Sequence, residues 1–85
     1  MPTSAQITVG TTATLLVAAT AFDQTVILHN TGGGIVYLGD SGVTTSNGFA
    51  LDNGNTLTVT VGDHEGLYGI VASGTHVVGV LKQIN

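Results

Sequence analysis

Gly39-Asp40-Ser41-Gly42 sets a serine hydroxyl beside a carboxylate, the pairing from which a nucleophilic serine could be built. Such a serine works only if a histidine takes its proton and a carboxylate orients that histidine. His29 precedes Ser41, but no carboxylate other than Asp40 lies between them, and Val43 stands where the Gly-Asp-Ser-Gly-Gly pattern around a nucleophilic serine has its last glycine. Gly34 to Ser41 has the GxxxxGxS spacing of a phosphate-binding loop, yet Asp40 puts an anion where the lysine should reach the phosphates. Both stretches read as turns, which Gly, Asp and Ser favour. Asp63-His64-Glu65 gathers three metal-ligating side chain types, and Asp52-Asn53-Gly54-Asn55 offers oxygens for Ca²⁺. Adjacent residues on a strand point to opposite faces, so the first trio cannot converge without a turn. The second segment lacks the spaced carboxylates and bidentate glutamate of a calcium loop. These also read as polar turns. His29 and His76 sit in strands beside apolar neighbours, as hydrogen-bonded wall residues. The expectation is no catalytic residue, no metal and no cofactor.

Composition narrows the function from the other side. The 85 residues form one domain, without a cysteine to staple it. A chain this small buries only about 60% of its unfolded surface, so association with other subunits is the natural supplement. Charged residues make up 7% of the chain, against roughly 25% in ordinary domains. Lys82 is the only basic residue other than histidine, and the net charge is −4. Such a chain cannot neutralise a run of phosphates, so neither nucleic acid nor an anionic membrane is an expected partner. Met1 to Gly10 has no Lys or Arg for a signal peptide, so the protein is expected to be made and kept soluble in the cytoplasm until it meets its partner.

The elements that carry these residues follow a period of two, punctuated by Gly, Asn, Asp and Ser. Strands are predicted at Gln6 to Val9, Thr12 to Ala18, Thr25 to Asn30, Ile35 to Gly39, Thr56 to Val61, Leu67 to Ala72 and Thr75 to Lys82. Thr31-Gly32-Gly33-Gly34 closes the third, Gly42 to Asn55 is read as irregular, and Ser73-Gly74 carries the signature of a two-residue hairpin between the last two strands. Seven to eight short strands at this spacing predict an all-β domain, a small β-sandwich or jelly-roll-like barrel spanning residues 1–85, with residues 1–6 as a flexible N-terminal arm. Leu57, Val59, Val61, Val26, Val36 and Leu38 are the predicted core. Of the four aromatics, Phe22, Phe49, Tyr37 and Tyr68, two are expected in the core.

Several strands are apolar on both faces: Val26-Ile27-Leu28, Ile35-Val36-Tyr37-Leu38 and Val77-Val78-Gly79-Val80-Leu81. A two-layer sandwich covers one face of each sheet, and no amphipathic helix is available for the other. A second protein surface is therefore the expected cover. Ile27, Ile35 and Val78 are the predicted interface residues on the strands. The uncharged arm residues Pro2, Thr3, Ser4, Ala5 and Gln6 could add a strand to a neighbour's sheet.

Four blocks in order, Thr25-Val26-Ile27-Leu28-His29-Asn30-Thr31-Gly32, Val36-Tyr37-Leu38-Gly39, Gly48-Phe49-Ala50-Leu51 and Leu67-Tyr68-Gly69-Ile70-Val71-Ala72-Ser73-Gly74-Thr75, resemble the small β-rich structural proteins of tailed bacteriophage virions. The similarity runs from Thr12 to Lys82. It implies a virion component on the capsid surface, with the major capsid protein as partner and a homotrimer as the working form. The absence of a stalk favours a capsid decoration (cement) protein that stabilises the head. The alternative within the same resemblance is a head-fibre or tail-associated module that binds a receptor or glycan.

Overall fold

The computed structural model describes residues 2–31 and 34–84, with backbone only for Pro2, Thr3 and Ile84. Eight strands follow one another without a helix among the described residues: β1 (Pro2–Val9), β2 (Thr14–Val17), β3 (Gln24–Asn30), β4 (Val36–Gly39), β5 (Phe49–Leu51), β6 (Thr56–Val61), β7 (Leu67–Ile70) and β8 (His76–Ile84). They form two antiparallel four-stranded sheets, ordered β1-β8-β3-β6 and β2-β7-β4-β5. The first strand pairs with the eighth, the second with the seventh, the third with the sixth and the fourth with the fifth. That nesting is one long hairpin rolled over itself into two layers, the jelly-roll arrangement.

The hydrophobic cluster between the sheets is built from valine and leucine alone. Val9, Val17, Val26, Leu28, Val36, Val71 and Val78 are essentially inaccessible, and Leu16, Leu38, Leu51, Val61 and Val80 complete the cluster. Of the predicted core, Val26, Val36, Leu38 and Val61 are buried, while Leu57 and Val59 pack against the cluster only partly covered. None of the four aromatics is in it. Phe22 and Phe49 are largely exposed, and Tyr37 and Tyr68 are half-buried.

Three local expectations change. Ser73-Gly74 does not close a hairpin, because β7 belongs to the second sheet and β8 to the first. β8 instead lies between β1 and β3, paired along Pro2–Val9 and Gln24–Asn30, both far longer than the four residues of β7. A turn signature specifies the bend, whereas hydrogen bonding over two long neighbours decides the sheet. Residues 2–6, expected as an arm, begin β1, aligned with β8 from Pro2 opposite Gln83. The segment 42–55 contains β5, and the loop before it is internally bonded: Thr44 Oγ1 accepts from the Ser46 and Asn47 amides, and Asn47 Oδ1 accepts from Thr44 N at 2.7 Å. Gly32 and Gly33 of the predicted turn lie outside the described residues.

That loop ends on a close approach. A Cβ at Gly48 would sit 2.6 Å from Tyr37 Cβ and 2.9 Å from Val43 Cγ2. Both are atoms next to the backbone or buried, with no room to swing away. Gly48→Ala is expected to cost about 1–3 kcal/mol, as overpacking does, measured by urea denaturation. Gly54→Ala serves as the contrast, since a Cβ there meets nothing within 4 Å and only its φ of +79° is unfavourable.

Candidate assembly surfaces

The residues that suggested chemistry are held in turns. Asp40 Oδ1 accepts from Gly42 N at 2.9 Å and Asp40 O from Val43 N at 3.0 Å, a turn that seats Val43 in the interior. Ser41 is exposed in this turn, and His29 stands on the first sheet with Nδ1 3.0 Å from Thr56 Oγ1. At the other trio, His64 takes a left-handed φ of 63°. Glu65 Oε1 accepts from Gly62 N, Asp23 Oδ1 accepts from Asp63 N at 2.9 Å, and His64 lies 3.2 Å from Asp63 Oδ2. Among the described residues no three His, Asp or Glu side chains gather as a metal site. The 52–55 segment turns on Asn55 N donating to Asp52 O. His76 is half-buried with its ring against Gly34.

Two polar side chains of β3 are buried with nothing in their local sequence to mark them. Asn30, at the end of β3, is fully buried. Its Nδ2 donates to Gly34 O at 2.6 Å and to Leu51 O at 3.0 Å. Its backbone N donates to Asn55 O and its carbonyl accepts from Gly54 N. One residue thus ties together the β3–β4 connection, β5 and the 52–55 turn. Gln24, at the opposite end of β3, donates from Nε2 to Ala18 O at 3.1 Å, and its Oε1 has no partner among the described residues.

Charge is segregated from the sheets. The second sheet, with strands Thr14–Val17, Leu67–Ile70, Val36–Gly39 and Phe49–Leu51, has no charged residue at all. In the first sheet Lys82 is the only one. Asp23, Asp40, Asp52, Asp63 and Glu65 all lie in connections between strands. All but Asp52 lie in the β2–β3, β4–β5 and β6–β7 connections, which antiparallel alternation brings to the same end of the sandwich.

Each sheet therefore presents an uncharged outer face. On the second sheet two apolar rows cross the strands. Leu15 aligns with Tyr68 and Tyr68 with Gly39; Ile70 aligns with Tyr37 and Tyr37 with Ala50. Leu15 is 46% exposed, and Ile35, just before β4, adds 41%. On the first sheet Ile27 aligns with Leu81, both well exposed, and Ser4 lies on the far side of Leu81. A shallow groove runs there past Ser4, Gln6, Ile27, His29, Gly79 and Leu81. Hydroxyls dominate the rest of that face, with Thr8, Thr25, Thr56, Thr58 and Thr60 beside Val77 and Gln83.

The predicted interface residues are thus divided. Ser4, Gln6 and Ile27 come together on the first sheet, with Ala5 exposed beside them. Ile35 lies at the edge of the opposite sheet, just before β4. Val78 is inaccessible, opposite Ile7 and Asn30 in the inward row of β8, and cannot touch a partner unless the sandwich opens. The side chains of Pro2 and Thr3 lie outside the described residues. Tyr37, Tyr68 and Ile70, the centre of the second face, were not singled out as contacts. Their alternation with Val36, Leu38, Gly69 and Val71 was the available signal.

No family model and no curated protein sequence matches this chain. Among solved structures, it is similar to a chain of the Bacillus endospore appendages, which form a novel family of disulfide-linked pili. The likeness has a TM-score of 0.62 at 12% identity, covering 99% of this chain and 85% of that one. At that identity it is a likeness of fold. The present sequence has no cysteine, so the linkage that characterises those pili has no counterpart here.

Proposed function

We propose that this chain is a structural protein that works by adhering to other protein subunits, and specifically that it is a capsid decoration protein seated through the outer face of its second sheet. One observation carries the reading: a sheet without a single charged residue, whose outer face carries exposed Leu15 and Ala50, half-buried Tyr68, Ile70 and Tyr37, and exposed Ile35 just before β4. Tyrosine and aliphatic side chains with charge excluded make up the core of protein interfaces, and a patch of this kind is uncommon on a monomer. The acids stand clear of this face, in the connections. Jelly rolls are also a common architecture of viral capsid domains, an analogy of fold that agrees with the sequence resemblance. Seated across a junction, such a subunit holds its neighbours together because separating them must re-expose the same apolar surface.

The test is reconstitution. Particles stripped of this protein and supplied with it again are expected to rebind it and to rupture at a higher temperature. An apolar contact without ion pairs should change by no more than about two-fold across a wide salt range. Failure to rebind, or an unchanged rupture temperature, would remove the decoration reading. The structural likeness to pili supports a second reading, a subunit of a fibrous appendage. Hundreds of copies spread over a capsid belong to the first reading, and confinement to a fibre, tail or vertex belongs to the second.

A further inference from the structure

The two sides of the sandwich are closed differently. On one side β1 lies against β2, and Val71 N donates to Gly10 O where the chain crosses between sheets. On the other, β6 and β5 edge an apolar groove of about 270 Å³, lined by Leu38, Phe49, Leu57, Val59 and Leu67. Leu57 and Val59 are only partly covered, and Phe49 stands 62% exposed at the lip. Edge strands ordinarily carry a lysine, a proline, a bulge or a short length that discourages pairing. β1 begins with Pro2, β2 has a register break between Leu15 and Val17, and β5 is three residues long. β6 has none of these. It runs six residues, Thr56-Leu57-Thr58-Val59-Thr60-Val61, in unbroken register with β3 and without charge, glycine or proline.

We propose that β6 pairs antiparallel with β6 of a second copy about a two-fold axis through Val59, joining the two first sheets into one continuous eight-stranded sheet. The occupant follows from the strand itself. Leu57-Thr58-Val59-Thr60-Val61 reads the same in both directions by residue type: apolar, Thr, apolar, Thr, apolar. Centred on Val59, the pairing sets Leu57 opposite Val61 of the partner subunit, and Thr58 opposite Thr60 of the partner subunit. Every inward apolar residue then meets an apolar one, and every outward hydroxyl meets a hydroxyl, the favourable cross-strand combination. A two-fold axis normal to the sheet keeps the inward faces on one side, so the two grooves merge and each Phe49 gains cover. Moving the axis to Thr58 would instead set Val61 against Asn55, an exposed turn residue. Such an isologous contact closes at two copies and takes the place of the homotrimer implied by the resemblance. It leaves the outer face of the second sheet free, so it stands whether or not that face meets a capsid.

Antiparallel pairing brings the turn bearing Asp52 beside the partner's turn bearing Asp63 and Glu65. Association should therefore tighten with added salt, as like charges are screened. Sedimentation of the wild-type chain is expected to give a monomer–dimer equilibrium below about 200 µM. The double variant Thr58→Lys with Thr60→Lys sets like charges directly opposite and is expected to weaken the dimer about 10-fold or more, with an unchanged circular dichroism spectrum. Mixing it with Thr58→Glu/Thr60→Glu should restore a heterodimer. In a chain with no native cysteine, Val59→Cys should crosslink on oxidation faster than Thr58→Cys, because only the residue on the axis faces its own copy. A monomer throughout, a trimer, a dimer indifferent to the lysine pair, or faster crosslinking at position 58 would each overturn the proposal.

Discussion

Replacing Asn30 with alanine is expected to lower the unfolding free energy by about 3 kcal/mol. The side chain is fully buried, and its Nδ2 serves two carbonyls at once, Gly34 O and Leu51 O. Removing the donor leaves the buried Leu51 O and the part-buried Gly34 O unsatisfied, at about 1–3 kcal/mol for a buried group and less for the second, before the cavity is counted. In a domain of this size that corresponds to a fall in Tm of about 15 °C, read by thermal denaturation. Asn30→Asp separates the hydrogen bonds from the packing. It keeps the shape but points a carboxylate at two carbonyls, so it should be worse than alanine at neutral pH. Its carboxyl is stabilised in the neutral form, which raises its folded-state pKa above the unfolded value of about 3.9. The deficit relative to alanine therefore shrinks as pH falls through the carboxylate range and is full above it. An aspartate variant milder than alanine at neutral pH would show that volume, not hydrogen bonding, is what this position supplies.

The second large effect is on binding. Tyr37→Glu with Tyr68→Glu places two carboxylates in the middle of the uncharged outer face of the second sheet, where the chain offers no partner of opposite sign. If that face seats on the particle, the charges must be desolvated unpaired, and retention should fall about 100-fold or more. Both tyrosines are half-buried on an outer face, so the core is untouched and the denaturation midpoint should move little. Ile27→Glu on the opposite sheet is the matched control, expected to rebind as wild type. Loss of binding by Ile27→Glu with retention of the tyrosine variant would transfer the docking face to the first sheet. Normal rebinding by both would leave the decoration reading without its contact.

Strand character is a property of neighbouring residues, and it was legible. The alternation from Thr56 to Val61 specified β6 to the residue, and the absence of amphipathic helix and of charge in the apolar runs pointed to an all-β domain with uncovered faces. The turns at Asp40 and Asp52 were likewise local, closed by bonds within two or three residues, whereas the Asp63 turn is also held by Asp23 and Thr20 from the β2–β3 connection. Partner choice is not local. Val77 and Val78 are the same residue type one position apart, and only alignment with Ile7 and Asn30 turns Val78 inward. Ile27 and Ile35 sit in similar apolar runs, yet the roll of the hairpin sends their strands to different sheets, so one imagined interface became two faces. Ser73-Gly74 described a bend correctly and said nothing of which strands it would join. Asn30 looked like an ordinary strand end, since its burial is made by β5 and the 52–55 turn, which are distant in sequence and close over it only when the two layers pack.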